Sequence, residues 1–521
     1  MTASRERACR HEVQMEELLK EVPYLELAGK TGTGGVIRLV TSDSREVLPG
    51  SLFVAIKGYC TDGSSFILSA VERGAVAVIC EEFPYDIALS CLYIKVSDAR
   101  KALAEAARIF YGKASDQLMI IGVTGTNGKT TTAKLITAML NAGGISAGYI
   151  GTNLCRIGEL DIPLDRTTPE ASGLHALFSK MVDAGCRAAV MEVSSHALVL
   201  QRVYGIRFHA ALFTNLTMEH LDFHESMQAY ASAKQQLFDQ LSPEGFAVIN
   251  IDVPYAEQMA ARVAHHKIYC CTLRQEVRPT FLCGRLFEAE ILQTTLASST
   301  VALHFPGTVM TMQVGLPGIF NVMNVLEAAA VGFGMGLAPE DICRSLSAVS
   351  SVDGRMERIG DGSQGWFAFV DYAHTPDALF KALDALRNLK PDGSRLVVVF
   401  GCGGNRDRTK RSEMGRIASE IADEVIITSD NPRDEEPEVI LDEIESGITS
   451  GHYMRICDRA DAIRRAVLML QQGDVLLVAG KGHETYQEIA GRKHFFSDQE
   501  LIKKYMQENS SGYPERESLW K

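Results

Sequence analysis

One stretch constrains the fold more than any other. An apolar run at residues 118–123 leads through Thr124 into Gly125-Thr126-Asn127-Gly128. Lys129 then opens a pattern with apolar residues at 135, 136, 139 and 140 that stops at Gly143-Gly144. Strand, glycine-bearing loop and helix, in that order, form the context of a phosphate cradle. Glycines let backbone N–H groups close around phosphate oxygens. The helix N-terminus adds partial positive charge. Gly125, Thr126, Asn127, Gly128, Lys129, Thr130 and Thr131 are therefore expected to bind ATP. Lys129 would reach the β- and γ-phosphates, and the Thr130 hydroxyl would hold Mg²⁺. The glycines stand closer together than in the usual motif. The bland alternative is a strand–helix turn with no ligand, and Lys129-Thr130-Thr131 in the first helical turn weighs against it.

A chain of 521 residues suggests about three domains at about 100–200 residues each. The expected class is α/β. Residues 1–113 read as a small α/β domain, 114–352 as a central P-loop domain on a parallel sheet, and 353–521 as a Rossmann-like domain. Strands at 51–56 and 75–79 precede a helix over 99–111 that Gly112 can stop. Strands at 188–193 and 209–214 belong to the central unit, and strands at 395–400, 424–428 and 474–478 to the third. Alternation with helical stretches implies parallel sheets covered on both faces. Residues 270–316 lack helical periodicity and read as a β-rich insertion, and 509–521 as a fraying end.

A net charge of -13 argues against a general binder of nucleic acid or of anionic membranes. The twelve cysteines form no Cys-x-x-Cys pair. Neither a disulfide framework nor a zinc ribbon is indicated, and a reducing, cytoplasmic setting is expected. The polar N-terminus does not resemble a signal peptide, and no run of about 18 apolar residues suggests a membrane span.

Residues 226–241 read as an amphipathic helix with Ser226 as N-cap. On a wheel at 3.6 residues per turn, Lys234 falls at the centre of the apolar side. A buried ammonium is costly unless paired or chemically altered. It could snorkel or meet a carboxylate, or react with CO₂ to give a carbamate able to bind Mg²⁺. Glu192 ends one strand and His220 follows another, and those ends should face the phosphate loop. His220 and His224 have the i, i+4 spacing of a zinc pair, but no third ligand is evident.

In the third unit, polar clusters follow three strands: Gly401 to Arg406, Asp430-Asn431-Pro432-Arg433, and Gly480 to Glu484. Strand ends converge on one crevice in a doubly wound sheet. Cations and carboxylates together suit a zwitterionic ligand, whereas ordinary turn chemistry is the alternative for any one cluster. Arg406, Arg408, Lys410 and Arg411 supply basic charge there.

Taken together, these motifs resemble the Mur ligases of peptidoglycan synthesis, from about residue 41 to 498. Gly125 to Thr131 alone would also fit folylpolyglutamate synthetase. The resemblance rests further on Asp43-Ser44-Arg45, Pro49 to Gly58, Met191 to Ala197, His220 to His224, Gly318 to Asn324, Gly354 to Glu357 and Asp371 to Asp377. It is strongest to the members that add the third residue of the stem peptide. The resemblance implies an ATP-dependent, ADP-forming amide ligase, acting as a monomer through an acyl phosphate. The implied partners are UDP-N-acetylmuramoyl-L-alanyl-D-glutamate and meso-diaminopimelate, with L-lysine or L-ornithine as alternatives.

It implies that Lys129, Lys234 and His220 are catalytic, and that Asn321, Arg355 and Asp371 contact ATP. Thr130, Glu192, His220 and carbamylated Lys234 would hold or orient Mg²⁺. Ser42 and Ser44 would face uridine; Thr167, Thr168, Ser194 and Arg202 would face sugar and peptide. Arg406, Asp430, Asn431, Pro432, Arg433, Gly480 and Glu484 would hold the amino acid, with Arg433 on its distal carboxylate. Arg166, Leu200, Glu219 and Tyr59-Cys60-Thr61 depart from the family pattern. A non-enzymatic nucleotide switch is the alternative from another class; it would bind ATP and need neither Lys234 nor Arg433.

Overall fold

The computed structural model describes residues 11–30, 35–58, 61–273, 284–360, 362–449 and 451–510. Of the end read as fraying over 509–521, residues 509–510 close the helix Asp498–Ser510; 511–521, like the departures at Tyr59 and Cys60, lie outside the described residues.

Eleven strands build the central sheet. Next to its middle strand, Phe208–Phe213, lies Met119–Thr124, with Ala188–Glu192 on the other side, all parallel. The chain therefore leaves Met119–Thr124 and returns on opposite sides of it. Ligands bind at such a switch point, beyond the carboxyl ends of the strands. In register, Glu192 lies beside Val123 and Phe213 beside Thr124. Glu192 and the segment after Phe213 thus reach the phosphate loop through strand order alone. Ile121 and Val123 enter one buried apolar cluster and Ile120 the other. That alternation is what a strand covered on both faces requires.

The helix Lys129–Ala142 has the expected bounds. The helix Met227–Asp239 is capped by Ser226, whose Oγ accepts the Ala229 N–H at 3.2 Å. It ends two residues earlier than its apolar pattern suggests, because Leu241 begins the strand Leu241–Asn250.

The stretch read as a β-rich insertion is a continuation of the central sheet. Ile268–Thr272 pairs parallel with Leu241–Asn250, and Arg285–Thr294 pairs parallel with Ile268–Thr272. Ser299–Phe305 and Thr308–Val314 then finish the sheet antiparallel. Helical periodicity is missing there because these residues are strand, and the sheet edge is where antiparallel strands are commonly added.

The C-terminal sheet has six strands, and Asp371 lies in register with Ala479 on Val475–Ala479. Its strand ends carry the three polar clusters. The N-terminal sheet runs Glu26–Gly29, Leu92–Lys95, Ala75–Cys80, Ser51–Val54, Leu39–Thr41. Among the described residues, no helix is long and apolar enough to cross a membrane.

Candidate active site

The loop is held open by its neighbours. Thr126 N–H donates to the Asn215 carbonyl at 2.9 Å, and Asn127 N–H to Asn215 Oδ1 at 2.9 Å. Thr214 Oγ1 donates to the Asn127 carbonyl at 2.6 Å. Gly128 has φ 86°, and a Cβ there would stand 2.7 Å from Asn324 Oδ1. Glycine is needed for both reasons. Lys129 Nζ donates to the carbonyls of Gly125 and Thr126 at 2.9 and 2.8 Å. Its ammonium therefore sits on the loop that its helix opens.

Glu192 is fully buried. Its Oε1 accepts from Thr130 Oγ1 at 2.9 Å, Tyr149 OH at 2.7 Å and Thr152 N–H at 3.0 Å. Arg355, from the C-terminal unit, reaches across and donates Nη2 to Thr130 Oγ1 at 2.9 Å. Its guanidinium lies 4.5 Å from the Tyr372 ring. Thr130 Oγ1 and the Glu192 carboxylate are hard oxygen donors of the kind Mg²⁺ takes. The residues present therefore fit that ion.

Lys234 neither snorkels nor pairs directly with a carboxylate. It is 1% exposed, its Nζ donates to the Gly125 carbonyl at 2.8 Å, and it lies 4.5 Å from the Tyr230 ring centre. The same carbonyl also accepts from Lys129. Burial, reinforced by the Lys129 charge, holds the Lys234 amine well below the usual lysine range. Burial also pulls Lys129 down, with Glu192 and Glu219 opposing it.

His220 lies near Lys129 and Lys234. Its Nε2 is 3.6 Å from Glu219, and its ring lies 4.8 Å from that of His196. Burial pushes it down to about 4, with Lys129 and Lys234 contributing. The spacing of His220 and His224 does not make a zinc pair. His224 Nε2 lies 2.8 Å from Ser195 Oγ, and its ring stacks on Tyr230. Among the described residues, no group of three or more His, Cys, Asp or Glu is arranged to hold a metal.

Asn321 is buried beside the loop helix and accepts from Asn324 Nδ2 at 2.9 Å. Asp371 takes the backbone N–H groups of Met356 and Ala373 at 2.6 and 2.8 Å, while burial raises its carboxyl. The central and C-terminal units also meet through Asn127 Nδ2 and Asp377, at 2.8 Å.

Thr168 Oγ1 donates to the Glu192 carbonyl at 2.9 Å and accepts Ser194 N–H at 3.1 Å. Arg202 Nη1 donates to the Thr168 carbonyl at 3.2 Å, and Thr167 Oγ1 lies 3.3 Å from Thr152 Oγ1. These four residues form one patch beside Glu192. Ser42 and Ser44 lie in the turn region after Leu39–Thr41.

The three C-terminal clusters do converge. Asn431 Nδ2 donates to Glu484 Oε2 at 2.8 Å, and Asn431 Oδ1 accepts from Lys481 at 2.9 Å. Gly480 N–H donates to the Asp371 carbonyl at 3.0 Å. Gln487 Nε2 donates to the Asp430 carbonyl at 2.8 Å. Arg433 follows Pro432 with φ 54°, and its Nη1 donates to the Gly404 carbonyl at 2.8 Å. Glu484 lies near Asp430, and burial with that charge raises its carboxyl.

The basic run is mostly committed elsewhere. Arg408 and the fully buried Arg411 both bond Glu443, and Lys410 donates to the His374 carbonyl. Arg406 is left exposed at the crevice rim.

Sequence reasoning missed Tyr149, Thr152, Tyr372 and the hairpin of Tyr486–Ile489 with Arg492–Phe495. That hairpin supplies Gln487 and Glu488 to the 430–433 loop. The short Ala490-Gly491 turn, both residues at positive φ, was the available signal.

Three family models match the chain: "Mur ligase family, catalytic domain" at residues 36–111, "Mur ligase middle domain" at 123–332, and "Mur ligase, glutamate ligase domain" at 354–482. A UDP-N-acetylmuramoyl-L-alanyl-D-glutamate–2,6-diaminopimelate ligase from Chlorobium phaeobacteroides is 62% identical, over 98% of this chain and 100% of its own. One of the same description from Chlorobaculum tepidum is 60% identical, over 94% and 96%. A solved structure of such a ligase superposes with TM-score 0.68 at 32% identity, covering 96% of this chain and 99% of that one. The folylpolyglutamate synthase of Mycobacterium tuberculosis shares the fold, at TM-score 0.59 and 18% identity, over 72% of this chain and 91% of its own.

Proposed function

This chain belongs to the Mur ligase family, and from that premise we propose that it joins meso-2,6-diaminopimelate to UDP-N-acetylmuramoyl-L-alanyl-D-glutamate. It is an ATP-dependent, ADP-forming amide ligase of peptidoglycan precursor synthesis. One observation carries the reading. The Arg355–Thr130 contact at 2.9 Å sets the phosphate loop against a unit whose crevice gathers Asn431, Arg433 and Glu484. A cradle for ATP thus faces a cradle for a zwitterion.

The γ-carboxylate of D-glutamate attacks the γ-phosphorus of ATP, releasing ADP and leaving an acyl phosphate. The amine of diaminopimelate then attacks the acyl carbon. The tetrahedral centre collapses, inorganic phosphate leaves with the bonding pair, and the amine gives up its proton. Lys129 offsets charge on the transferring group. Thr130 and Glu192 would hold Mg²⁺, which would supply positive charge to the phosphates. Asn321, Arg355 and Asp371 orient ATP.

We assign residues 1–113 to the UDP-sugar, 114–352 to ATP and 353–521 to the amino acid. Ser42 and Ser44 serve the uridine end, and Thr167, Thr168, Ser194 and Arg202 the sugar and peptide. Arg406, Asp430, Asn431, Pro432, Arg433, Gly480 and Glu484 serve the diaminopimelate. A monomer is the assembly proposed, and an ATP-consuming reaction on a nucleotide sugar suits the cytoplasm. Purified protein is expected to release phosphate from ATP only with both UDP-N-acetylmuramoyl-dipeptide and diaminopimelate present. Release indifferent to either substrate would rule the reading out.

Lys234 is assigned a carbamate. Only a free amine adds to CO₂, and burial beside Lys129 favours that form. The amine nitrogen bonds the CO₂ carbon and gives up a proton, which leaves a carbamate anion near the Lys129 cation. His220 is assigned to orient this group. Removing CO₂ and bicarbonate should lower the ligase rate reversibly, with bicarbonate restoring it. A Lys234→Ala variant should be insensitive to both treatments. Parent enzyme whose rate ignores CO₂ depletion would refute the carbamate.

A further inference from the structure

We propose that Tyr149 is a positioning residue, its phenol fixing the Glu192 carboxylate towards Thr130 and thereby setting the affinity of the site for a divalent cation. The inference rests on the reading of Glu192 as a metal ligand and adds what holds that ligand in place.

Tyr149 lies on the strand Ala147–Gly151, beside Ala188–Glu192, with Tyr149 opposite Val190. Its side chain runs along the sheet to the carboxyl end of the neighbouring strand. The OH donates to Glu192 Oε1 at 2.7 Å. That oxygen also takes Thr130 Oγ1 at 2.9 Å and Thr152 N–H at 3.0 Å. Thr152 Oγ1 holds the other oxygen at 3.3 Å. Two of the three bonds to Oε1 come from the scaffold and one from the loop helix. Removing the phenol leaves only the Thr152 backbone to fix that oxygen from the scaffold.

Gly151 is an independent observation on the same arrangement. A Cβ there would stand 2.1 Å from the phenol oxygen and 2.2 Å from Glu192 Oε1. The backbone is therefore cleared of side chain where phenol and carboxylate meet. Tyr149 is 3% exposed.

The ring itself packs in the apolar core, and phenylalanine keeps that packing. A donor behind a metal ligand fixes the ligand's orientation, and its loss lowers metal affinity about 10- to 100-fold.

The test is Mn²⁺ binding to the full chain with ADP, read from the electron paramagnetic resonance signal of free Mn²⁺. Tyr149→Phe should raise the Mn²⁺ Kd about tenfold and leave the KM for diaminopimelate unchanged. Gly151→Ala should shift it in the same direction. A Tyr149→Phe Kd within about twofold of the parent, with Glu192→Gln weakened by about tenfold or more, would overturn this inference and leave the metal reading standing. Glu192→Gln with parental Mn²⁺ affinity would overturn the metal reading itself. A Tyr149→Phe chain that fails to fold would also overturn the inference, because the hydroxyl would then serve the core rather than the site.

Discussion

Lys129→Ala is expected to lower the rate of substrate-dependent phosphate release by about 10³-fold while leaving the chain folded. Lys129 is the first residue of its helix, and alanine is the best helix former. The helix should therefore survive. What is lost is the cation bridging the carbonyls of Gly125 and Thr126. Phosphoryl transfer leaves little covalent chemistry to the protein, so catalysis rests on position and charge. Lys234 cannot substitute. Its amine is bound from the helix Met227–Asp239 to the same Gly125 carbonyl, and burial disfavours its charge. The measurement is a phosphate-release assay with both substrates saturating, with circular dichroism to check the fold. A residual rate within about tenfold of the parent would show that Lys129 is a loop strut and not the charge partner of the transferring group.

Local pattern carried part of this site. The Lys129–Ala142 helix, the Ser226 cap and the apolar placement of Lys234 follow from spacing alone. Each is a property of residues within a few turns of one another. Strand order also predicts that the clusters at 401–406, 430–433 and 480–484 share a crevice, because carboxyl ends of parallel strands point one way.

What spacing could not show is which partner each polar group takes. Tyr149 and Glu192 are 43 residues apart, and Thr130 and Arg355 are 225 apart. Such contacts depend on which strands are neighbours. The run from Arg406 to Arg411 shows the opposite failure. Four nearby cations look equivalent in sequence, but Arg411 is fully buried against Glu435 and Glu443 and Lys410 caps a carbonyl. Residues 285–314 read as an insertion because they carry no helical periodicity, whereas Arg285–Thr294 joins the sheet parallel and the two strands beyond it join antiparallel.

Arg433→Ala is expected to raise the KM for meso-diaminopimelate by roughly 30- to 150-fold, about 2–3 kcal/mol, with kcat little changed. The backbone holds Arg433 in place from both sides. Its N–H donates to the Glu488 carbonyl at 3.0 Å, and its carbonyl accepts from Ala490 N–H at 2.7 Å. Its Nη1 is spent on Gly404, and Nε lies 3.3 Å from Glu488. A guanidinium has five donors, so these contacts aim the fork without exhausting it. Glu488 shares the guanidinium; a distal substrate carboxylate bound there would take the donors that remain. Alanine removes the fork, while the φ of 54° strains alanine and arginine alike. Arg433→Lys keeps charge but loses bidentate geometry, so its loss should be intermediate. L-Lysine and L-ornithine have no distal carboxylate, and their kcat/KM should hardly move in Arg433→Ala. The discrimination between diaminopimelate and lysine should therefore collapse from the diaminopimelate side. Competition of the three amino acids on parent and variant measures this directly. Equal use of lysine by the parent, or an unchanged diaminopimelate KM in the variant, would remove Arg433 from specificity and return its role to bracing the 430–433 loop against the 486–495 hairpin.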